Sequence, residues 1–203
     1  MAYSAGFNPH PKVSYAGAAA TGVASEAEYL EIGLARRCDP NDLRAALDAS
    51  LPPGLDVLEI VEAAEGSLAD RLQASVYEIR LDGLAAESVA AAAAALMARD
   101  EVAVQRMTKN GLRTFDARGP IVEMDATPRA GSSSDQAGGR PCAILRVVIR
   151  HVVPAVRPDD VLVALHEVAD LVPPVPPLVT RLAQGPLNVA TGDVADPLVP
   201  DRV

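Results

Sequence analysis

Residues 76–98 read VYEIRLDGLAAESVAAAAAALMA, and this stretch decides the fold class because its hydrophobic period changes within a few residues. Tyr77, Ile79 and Leu81 alternate with polar residues, which is the pattern of a half-buried strand. After the Asp-Gly pair, the alanine-rich run over 85–98 predicts a helix, since alanine has the highest helix propensity. A strand followed at once by a helix indicates a mixed α and β protein.

Further elements follow toward the C-terminus in an order that repeats strand and helix. Asn110-Gly111 is a strong hairpin signal between strands predicted over 102–108 and 112–116. The tract 128–141 is rich in Pro, Gly and Ser without periodicity, which predicts a mobile surface loop. The last predicted elements are a strand over 142–151, a helix over 158–171 and a strand over 178–182, before a turn at 184–186.

The part of the chain before residue 67 carries the same kinds of element in a shorter order. Asp39-Pro40 supplies an N-cap and a proline at the first helical position, and Pro52-Pro53-Gly54 ends that helix. Strands are predicted over 12–18, 27–34 and 55–61.

We therefore expect an α+β fold of two tandem ferredoxin-like (βαββαβ) halves built on antiparallel sheets. The first half, residues 1–66, is incomplete because one strand and one helix of the unit are missing. The second half occupies 67–187, and 188–203 form a C-terminal tail.

Composition excludes several classes of protein. The chain of 203 residues is 49% hydrophobic, with no signal region and no apolar run that approaches a membrane span, so we expect a cytoplasmic protein without membrane contact. Cys38 and Cys142 lie far apart, which predicts two separate reduced thiols and neither a metal site nor a cofactor. P-loop, GxGxxG, HExxH and GxSxG motifs are absent from the sequence.

The net charge of −9 argues against a protein that binds nucleic acid over its whole surface. The charge is uneven, because residues 1–66 carry 10 acidic and 4 basic side chains. The chain has two lysines, Lys12 and Lys109, and each lies in an unusual segment. Any contact with phosphate is therefore expected to be local.

The first of these segments is YSAGFNPHPKVSY, residues 3–15. Two prolines fix their own φ and push the residue before each toward extended backbone, which stiffens the segment as in a binding loop. Its candidate binding residues are Phe7, Asn8, His10 and Lys12. His10 could also act as a general acid or base with Lys12 stabilising a phosphate, or it could hydrogen-bond a backbone carbonyl and order the turn.

The second segment is the predicted hairpin, whose candidate binding residues are Arg106, Lys109, Arg113 and Arg118. Alternation places Arg113 on the same face as Phe115, a cation beside a ring that could serve phosphate and base. The alternative is a solvated hairpin tip with Phe115 in the core. His151 and His166 are expected to be structural.

These segments carry a resemblance to a known family. GFNPHPK at 6–12, SEAEYLEI at 25–32, KNGLRTFDAR at 109–118 and TRLAQGPL at 180–187 resemble the bacterial radical-SAM-linked family in its actinobacterial form. That family is a domain of unknown function found beside or fused to radical SAM proteins. The resemblance implies a separately encoded radical SAM partner and an N-terminal strand and helix that do not precede the signature here. We expect that the true start lies further upstream, the alternative being a shortened form. Without three closely spaced cysteines, the chain is not itself a radical SAM enzyme.

From the sequence we expect a non-catalytic accessory or substrate-recognition module that serves RNA or a ribonucleoprotein. One alternative is a metal-independent endoribonuclease using His10 and Lys12, by fold analogy with CRISPR repeat-processing endoribonucleases. Another alternative is a protein-only adaptor.

Overall fold

The computed structural model describes residues 1–5, 7–109, 111–129 and 140–202, and these form two compact units. Unit 1 contains Met1–Ala18, Glu28–Arg71 and the end of the chain from Asp196. Unit 2 contains Ala19–Ala27 and Leu72–Ala195. Neither unit is one continuous stretch of sequence.

Unit 2 holds most of the regular structure. Its strands are β2 (Ala24–Ser25), β4 (Ala74–Asp82), β5 (Ala103–Thr108), β6 (Gly111–Asp116), β7 (Ile121–Pro128), β8 (Cys142–Arg150) and β9 (Leu178–Gly185). Its helices are α3 (Ala86–Met97) and α4 (Pro158–Ala169). Five strands form one sheet in the order β2-β9-β4-β8-β7, in which β2 runs parallel to β9 and the other neighbours are antiparallel.

One face of this sheet forms the core of unit 2 together with α3 and α4. Ile79 and Leu145 are opposite each other in the register of β4 and β8, and both are fully buried. Val89 and Leu96 of α3 and Leu165 of α4 belong to the same cluster. The alternation that predicted a half-buried strand at 76–81 is therefore confirmed, because its apolar face belongs to the core cluster that includes residues of both helices.

A tight connection joins β4 to α3 at Gly83. Its φ of 89° lies in the left-handed region, and a Cβ there would approach Cγ of Pro174 to 2.5 Å. Both restrictions favour glycine at this position. The Asp-Gly pair read from the sequence is thus the turn that brings α3 back onto the sheet.

The central strands of unit 2 differ from the prediction in one respect. Strands β5 and β6 pair with each other as a separate two-stranded sheet, and β7 takes the edge position next to β8. No strand was predicted over 121–128, so β7 was missed. The predicted loop at 128–141 falls mainly on residues 130–139, which lie outside the described residues.

Unit 1 has less regular structure. It contains β1 (Val13–Ala16) paired antiparallel with β3 (Tyr29–Ile32), helices α1 (Pro40–Asp48) and α2 (Leu68–Arg71), and a 3-10 turn, Val199–Asp201. Asp39 caps α1 as predicted, since its Oδ1 accepts from the N–H groups of Asn41 and Asp42 at 2.8 and 3.3 Å. The mixed α+β class is confirmed.

The strand predicted over 55–61 is wrong. The described structure places no strand or helix there, and Leu58 is 81% exposed. The backbone of this segment instead binds side chains of α1, with Val57 N–H donating to Asp48 at 2.9 Å. Apolar residues alone therefore did not make a strand, because no neighbouring strand receives the backbone hydrogen bonds.

The end of the chain is tied into unit 1 by ion pairs. Asp201 accepts from Arg71 at 2.6 Å and from the N–H of Ala64 at 2.8 Å. Arg202 contacts both Glu59 and Asp196. The hydrogen bond from Arg71 lowers the pKa of Asp201, and the hydrogen bond from Arg202 lowers that of Glu59. The part of the predicted tail from Asp196 onward thus contributes to the packing of unit 1.

Among the described helices, none combines the length and the apolar character that crossing a membrane requires.

Candidate binding surfaces

The N-terminal segment forms a loop closed at its base, and we call Ser4–Lys12 the double-proline loop. The N–H of Ser4 donates to the carbonyl of His10 at 2.8 Å, and the N–H of His10 donates back to Oγ of Ser4 at 3.0 Å. Next to this clasp, Lys12 N–H donates to the carbonyl of Ala2 at 2.9 Å. The loop is therefore held by reciprocal hydrogen bonds as well as by its prolines.

The predicted binding residues of this loop all point into solvent. Asn8, His10 and Lys12 are exposed, and Phe7 is fully exposed at 102% of its reference area. No hydrogen bond from the His10 imidazole occurs among the described residues, so the carbonyl contact considered from the sequence is absent there. The hydroxyl of Ser4 orders the turn instead.

Two further aromatic side chains flank the loop. The backbones of Tyr3 and Pro11 form an isolated antiparallel β-bridge, and Tyr15 of β1 lies opposite Leu30 of β3. Both tyrosines are 58% exposed, so half of the chain's six aromatic residues are exposed within residues 3–15. Sequence reasoning quoted these tyrosines but did not select them as site residues. The signal that could have identified them is that they lie in the same short segment as Phe7 and Pro11.

The charge around this loop differs from the rest of its unit. Residues 1–25 contain Lys12 and no acidic residue. Unit 1 as a whole carries 12 acidic and 6 basic side chains. Because like charges repel, a polyanion is disfavoured over most of unit 1 and tolerated at this loop.

The hairpin of β5 and β6 uses one of its predicted cations internally. The guanidinium of Arg106 pairs with Asp160 of α4 and donates to the carbonyl of Ala155 at 3.1 Å. It also lies 4.8 Å from the ring centroid of Phe115. The cation beside this ring is therefore Arg106, whereas the sequence predicted Arg113.

Asp160 joins this contact to the start of α4. Its Oδ2 also accepts the N–H of Arg157 at 2.8 Å, which closes the capping interaction of that helix. Burial raises the pKa of Asp160, against the opposing effects of Arg157 and Arg106. One carboxylate thus fixes both the helix and the hairpin.

The guanidinium of Arg118 is also engaged within the protein. It donates to the carbonyl of Met97 at 3.1 and 3.3 Å and to that of Ile121 at 2.9 Å. Met97 is the last residue of α3, so Arg118 satisfies a free carbonyl at that helix end. The guanidinium therefore has fewer donors to offer a ligand.

Lys109 and Arg113 are the hairpin cations that remain exposed. Neither forms an ion pair with another described residue. The apolar side chains of Met107 and Leu112 lie opposite each other in the register and are 71% and 60% exposed. The tip of the hairpin is thus both basic and apolar.

The second face of the five-stranded sheet is a poor surface for nucleic acid. Glu78, Arg146 and Asp125 are neighbours across β4, β8 and β7. Along β4, β7 and β8 this face carries four acidic residues and three arginines: Glu78, Asp82, Glu123, Asp125, Arg80, Arg146 and Arg150. Two of the arginines already pair with acidic neighbours, Arg80 with Asp82 and Arg146 with Glu123. The charge balance disfavours phosphate contacts here.

The other two histidines have partners inside unit 2. His151 Nδ1 contacts the carbonyl of Leu72 at 2.7 Å and its Nε2 contacts Oγ of Ser75 at 2.8 Å. Because a carbonyl only accepts, Nδ1 carries the proton and Ser75 donates to Nε2. Burial lowers the pKa of His151. His166 lies on α4 at 3.5 Å from Asp170.

Cys142 does not have the environment of a reactive thiol. Cys38 and Cys142 do not form a disulfide with each other, and burial, followed by the hydrogen bond with Asp82, raises the pKa of the Cys142 thiol. In the part of the chain that the structure describes, no group of three or more His, Cys, Asp or Glu side chains could hold a metal ion.

Comparison with known proteins identified a family. A family model described as "Uncharacterized protein conserved in bacteria (DUF2344)" matches residues 1–158, which include both the double-proline loop and the hairpin. No curated protein and no solved structure matches the chain.

Proposed function

Because the chain belongs to this family of uncharacterised bacterial proteins, whose matched region includes the double-proline loop, we propose that it is a non-catalytic recognition module and that this loop contacts unpaired RNA. The observation that carries the proposal is Phe7, fully exposed on a loop whose base is clasped between Ser4 and His10. An exposed ring on a stiff backbone can stack on a base with little loss of conformational entropy.

The surroundings of Phe7 support contact with RNA. Tyr3 and Tyr15 offer two further rings, and Lys12 offers a positive charge for phosphate within residues 1–25, which contain no acidic residue. Binding proteins for single strands combine stacking aromatics with local positive charge in this way. The acidic excess elsewhere in unit 1 confines the contact to the loop.

The link to a separately encoded radical SAM protein is part of the same proposal. It rests on the resemblance of residues 6–12 and 109–118 to the radical-SAM-linked family. In this arrangement the module presents a substrate, and the partner supplies the chemistry.

A tandem ferredoxin-like organisation is the fold we propose behind this function. Unit 2 supports it, since β4, α3, β7, β8, α4 and β9 follow the βαββαβ order and lie in the sheet order β9-β4-β8-β7. Unit 1 would be the incomplete half, with β1, β3 and α1 as its members.

The test is the binding of fluorescein-labelled oligouridine, followed by anisotropy. We expect Phe7→Ala to weaken binding by about 1–3 kcal/mol, roughly 5- to 150-fold, as for the loss of one stacked base. Lys12→Gln should lower the slope of log affinity against log salt by about 0.7, the value for one phosphate contact on a single strand. Leu58→Ala is the matched control, since Leu58 is an exposed apolar residue of the same unit at 81% exposure.

The outcome that contradicts the proposal is equal affinity of wild type and Phe7→Ala, or no binding at low salt. The endoribonuclease alternative has one supporting observation, the imidazole of His10 without a described partner. Incubation with the same RNA separates the two functions. Cleavage that His10→Asn abolishes would replace recognition by catalysis.

A further inference from the structure

The β5–β6 hairpin is anchored firmly at one end. Arg106 joins β5 to Asp160 of α4, and Phe115 of β6 is buried in the core of unit 2. At the base, Asp116 accepts from the N–H groups of Val102, Arg118 and Gly119 at 2.8–3.0 Å. Burial raises the pKa of Asp116, but these three donors outweigh burial and hold that pKa below its ordinary value. The hairpin therefore leaves unit 2 from a fixed base.

Its tip, by contrast, exposes apolar side chains. Met107 and Leu112 form a cross-strand pair with 71% and 60% of their areas exposed. Cross-strand apolar pairs stabilise a sheet mainly when they are covered. A paired apolar surface at the end of an anchored arm is the arrangement of a docking element.

The charge of the tip indicates the charge of the partner that would bind there. Between residues 103 and 115 the sequence has Arg106, Lys109 and Arg113 and no acidic residue. Arg106 is engaged with Asp160, which leaves Lys109 and Arg113 exposed without an ion pair among described residues. Against a net charge of −9 for the chain, this is a local basic site that fits an acidic occupant.

The side chains of the tip favour protein over nucleic acid. The one aromatic residue of the hairpin, Phe115, is 8% exposed and covered by Arg106, so it cannot stack on a base. The exposed apolar pair is aliphatic and offers no π-face. This contrasts with the double-proline loop, where rings are exposed.

We propose that the tip of the β5–β6 hairpin is a docking element for a protein segment that alternates acidic and aliphatic side chains. Aliphatic residues of that segment cover Met107 and Leu112, and its carboxylates pair with Lys109 and Arg113. The proposal goes beyond RNA recognition and does not depend on it, because it uses none of the residues of the double-proline loop.

The experiment measures anisotropy of a fluorescein-labelled synthetic peptide of Glu and Leu residues with the full chain. A peptide with Lys in place of Glu and labelled oligouridine serve as comparison probes. We expect the acidic peptide to bind, and K109E/R113E to weaken it about tenfold or more while gaining affinity for the basic peptide. M107S/L112S should weaken the acidic peptide at both low and high salt, because this part of the affinity is apolar.

Matched controls keep the result specific. R36E/R99E reverses two other exposed arginines and should leave peptide binding unchanged. Val189→Ser removes an apolar side chain of 72% exposure elsewhere in unit 2. Thermal unfolding confirms that each variant is folded, which we expect because the substituted side chains are exposed.

Three results would overturn the proposal. The first is failure of the acidic peptide to bind at low salt, or binding that the hairpin variants do not change. The second is oligouridine binding that K109E/R113E abolishes, which makes the tip a nucleic-acid surface. The third is dimerisation in sedimentation that M107S/L112S abolishes, which makes a second copy the occupant. Loss of RNA binding in Phe7→Ala leaves this proposal unaffected, so the two fail separately.

Discussion

At the scale of single residues, Arg106 shows how a side chain can serve the frame of a site. From the sequence it belongs with Lys109, Arg113 and Arg118 as a set of candidate binding cations. In the structure the guanidinium of Arg106 contacts Asp160, 54 positions later in the chain. Local sequence could not reveal this, since alternation along β5 fixes only the face on which Arg106 lies. Only the packing of α4 against the hairpin shows that Arg106 is engaged within the protein, whereas other cations of the set stay exposed.

His151 leads to a prediction about pH. Its lowered pKa, caused by burial, means that the unfolded chain binds more protons than the folded chain just below pH 6.5. The contribution of His151 is therefore full above its ordinary pKa and is lost as the pH falls from that value toward the lowered pKa of the folded state. We expect urea midpoints to decline between pH 7.5 and 5.5, and His151→Gln to flatten this decline.

His166→Gln is the control for this prediction, because His166 is an exposed histidine on α4. An equal decline in wild type and His151→Gln would show that the Ser75–His151–Leu72 contact does not couple folding to protonation.

At the scale of elements, most helices and strands could be located from local sequence signals. The prediction failed where forming a strand depends on a neighbouring strand. Asp39 and Pro40 mark the start of α1 as predicted, and Gly111 begins β6 opposite Thr108, the last residue of β5. The segment 55–61 had apolar residues but no neighbouring strand, whereas β7 has acidic residues on its exposed face and was missed. The predicted turn at 184–186 is also wrong for Gln184. This residue is buried within β9, and its side-chain amide donates to the carbonyl of Ala27. These features depend on neighbours distant in sequence.

The double-proline loop is the element for the next prediction. Pro9→Ala with Pro11→Ala keeps every side-chain contact of the clasp, but it enlarges the conformational freedom of the unbound loop. Each substitution should cost about 0.4–1 kcal/mol through the unfolded state, so the melting temperature should move modestly. Oligouridine affinity should fall further, because binding must now order the loop.

Anisotropy and thermal unfolding on the same preparation decide between two roles for these prolines. A large fall in melting temperature with unchanged oligouridine affinity would mean that they serve folding alone.

At the scale of the whole molecule, the chain returns to unit 1 after building unit 2. Asp201 holds the returning segment by an ion pair with Arg71, and the side chains of Asp201 and Arg71 are 5% and 15% exposed. We expect Asp201→Asn to lower the urea midpoint, because it removes the charge that Arg71 pairs with. Since the pKa of Asp201 is lowered, its stabilisation is complete above the ordinary aspartate pKa and is lost as the pH falls below it.

Asp56→Asn is the control, as Asp56 is an exposed carboxylate of the same unit. Equal midpoints for the two variants at neutral pH would contradict a stabilising role for the returning segment.

The return of the chain also has a consequence for biosynthesis. Arg71 and Asp201 are 130 residues apart, which at about 5–20 residues per second corresponds to roughly 6 to 26 s of translation. During that interval the ribosome has made one partner of the Arg71–Asp201 pair and not the other. All strands of the five-stranded sheet of unit 2 are therefore synthesised before the last contacts of unit 1 can form.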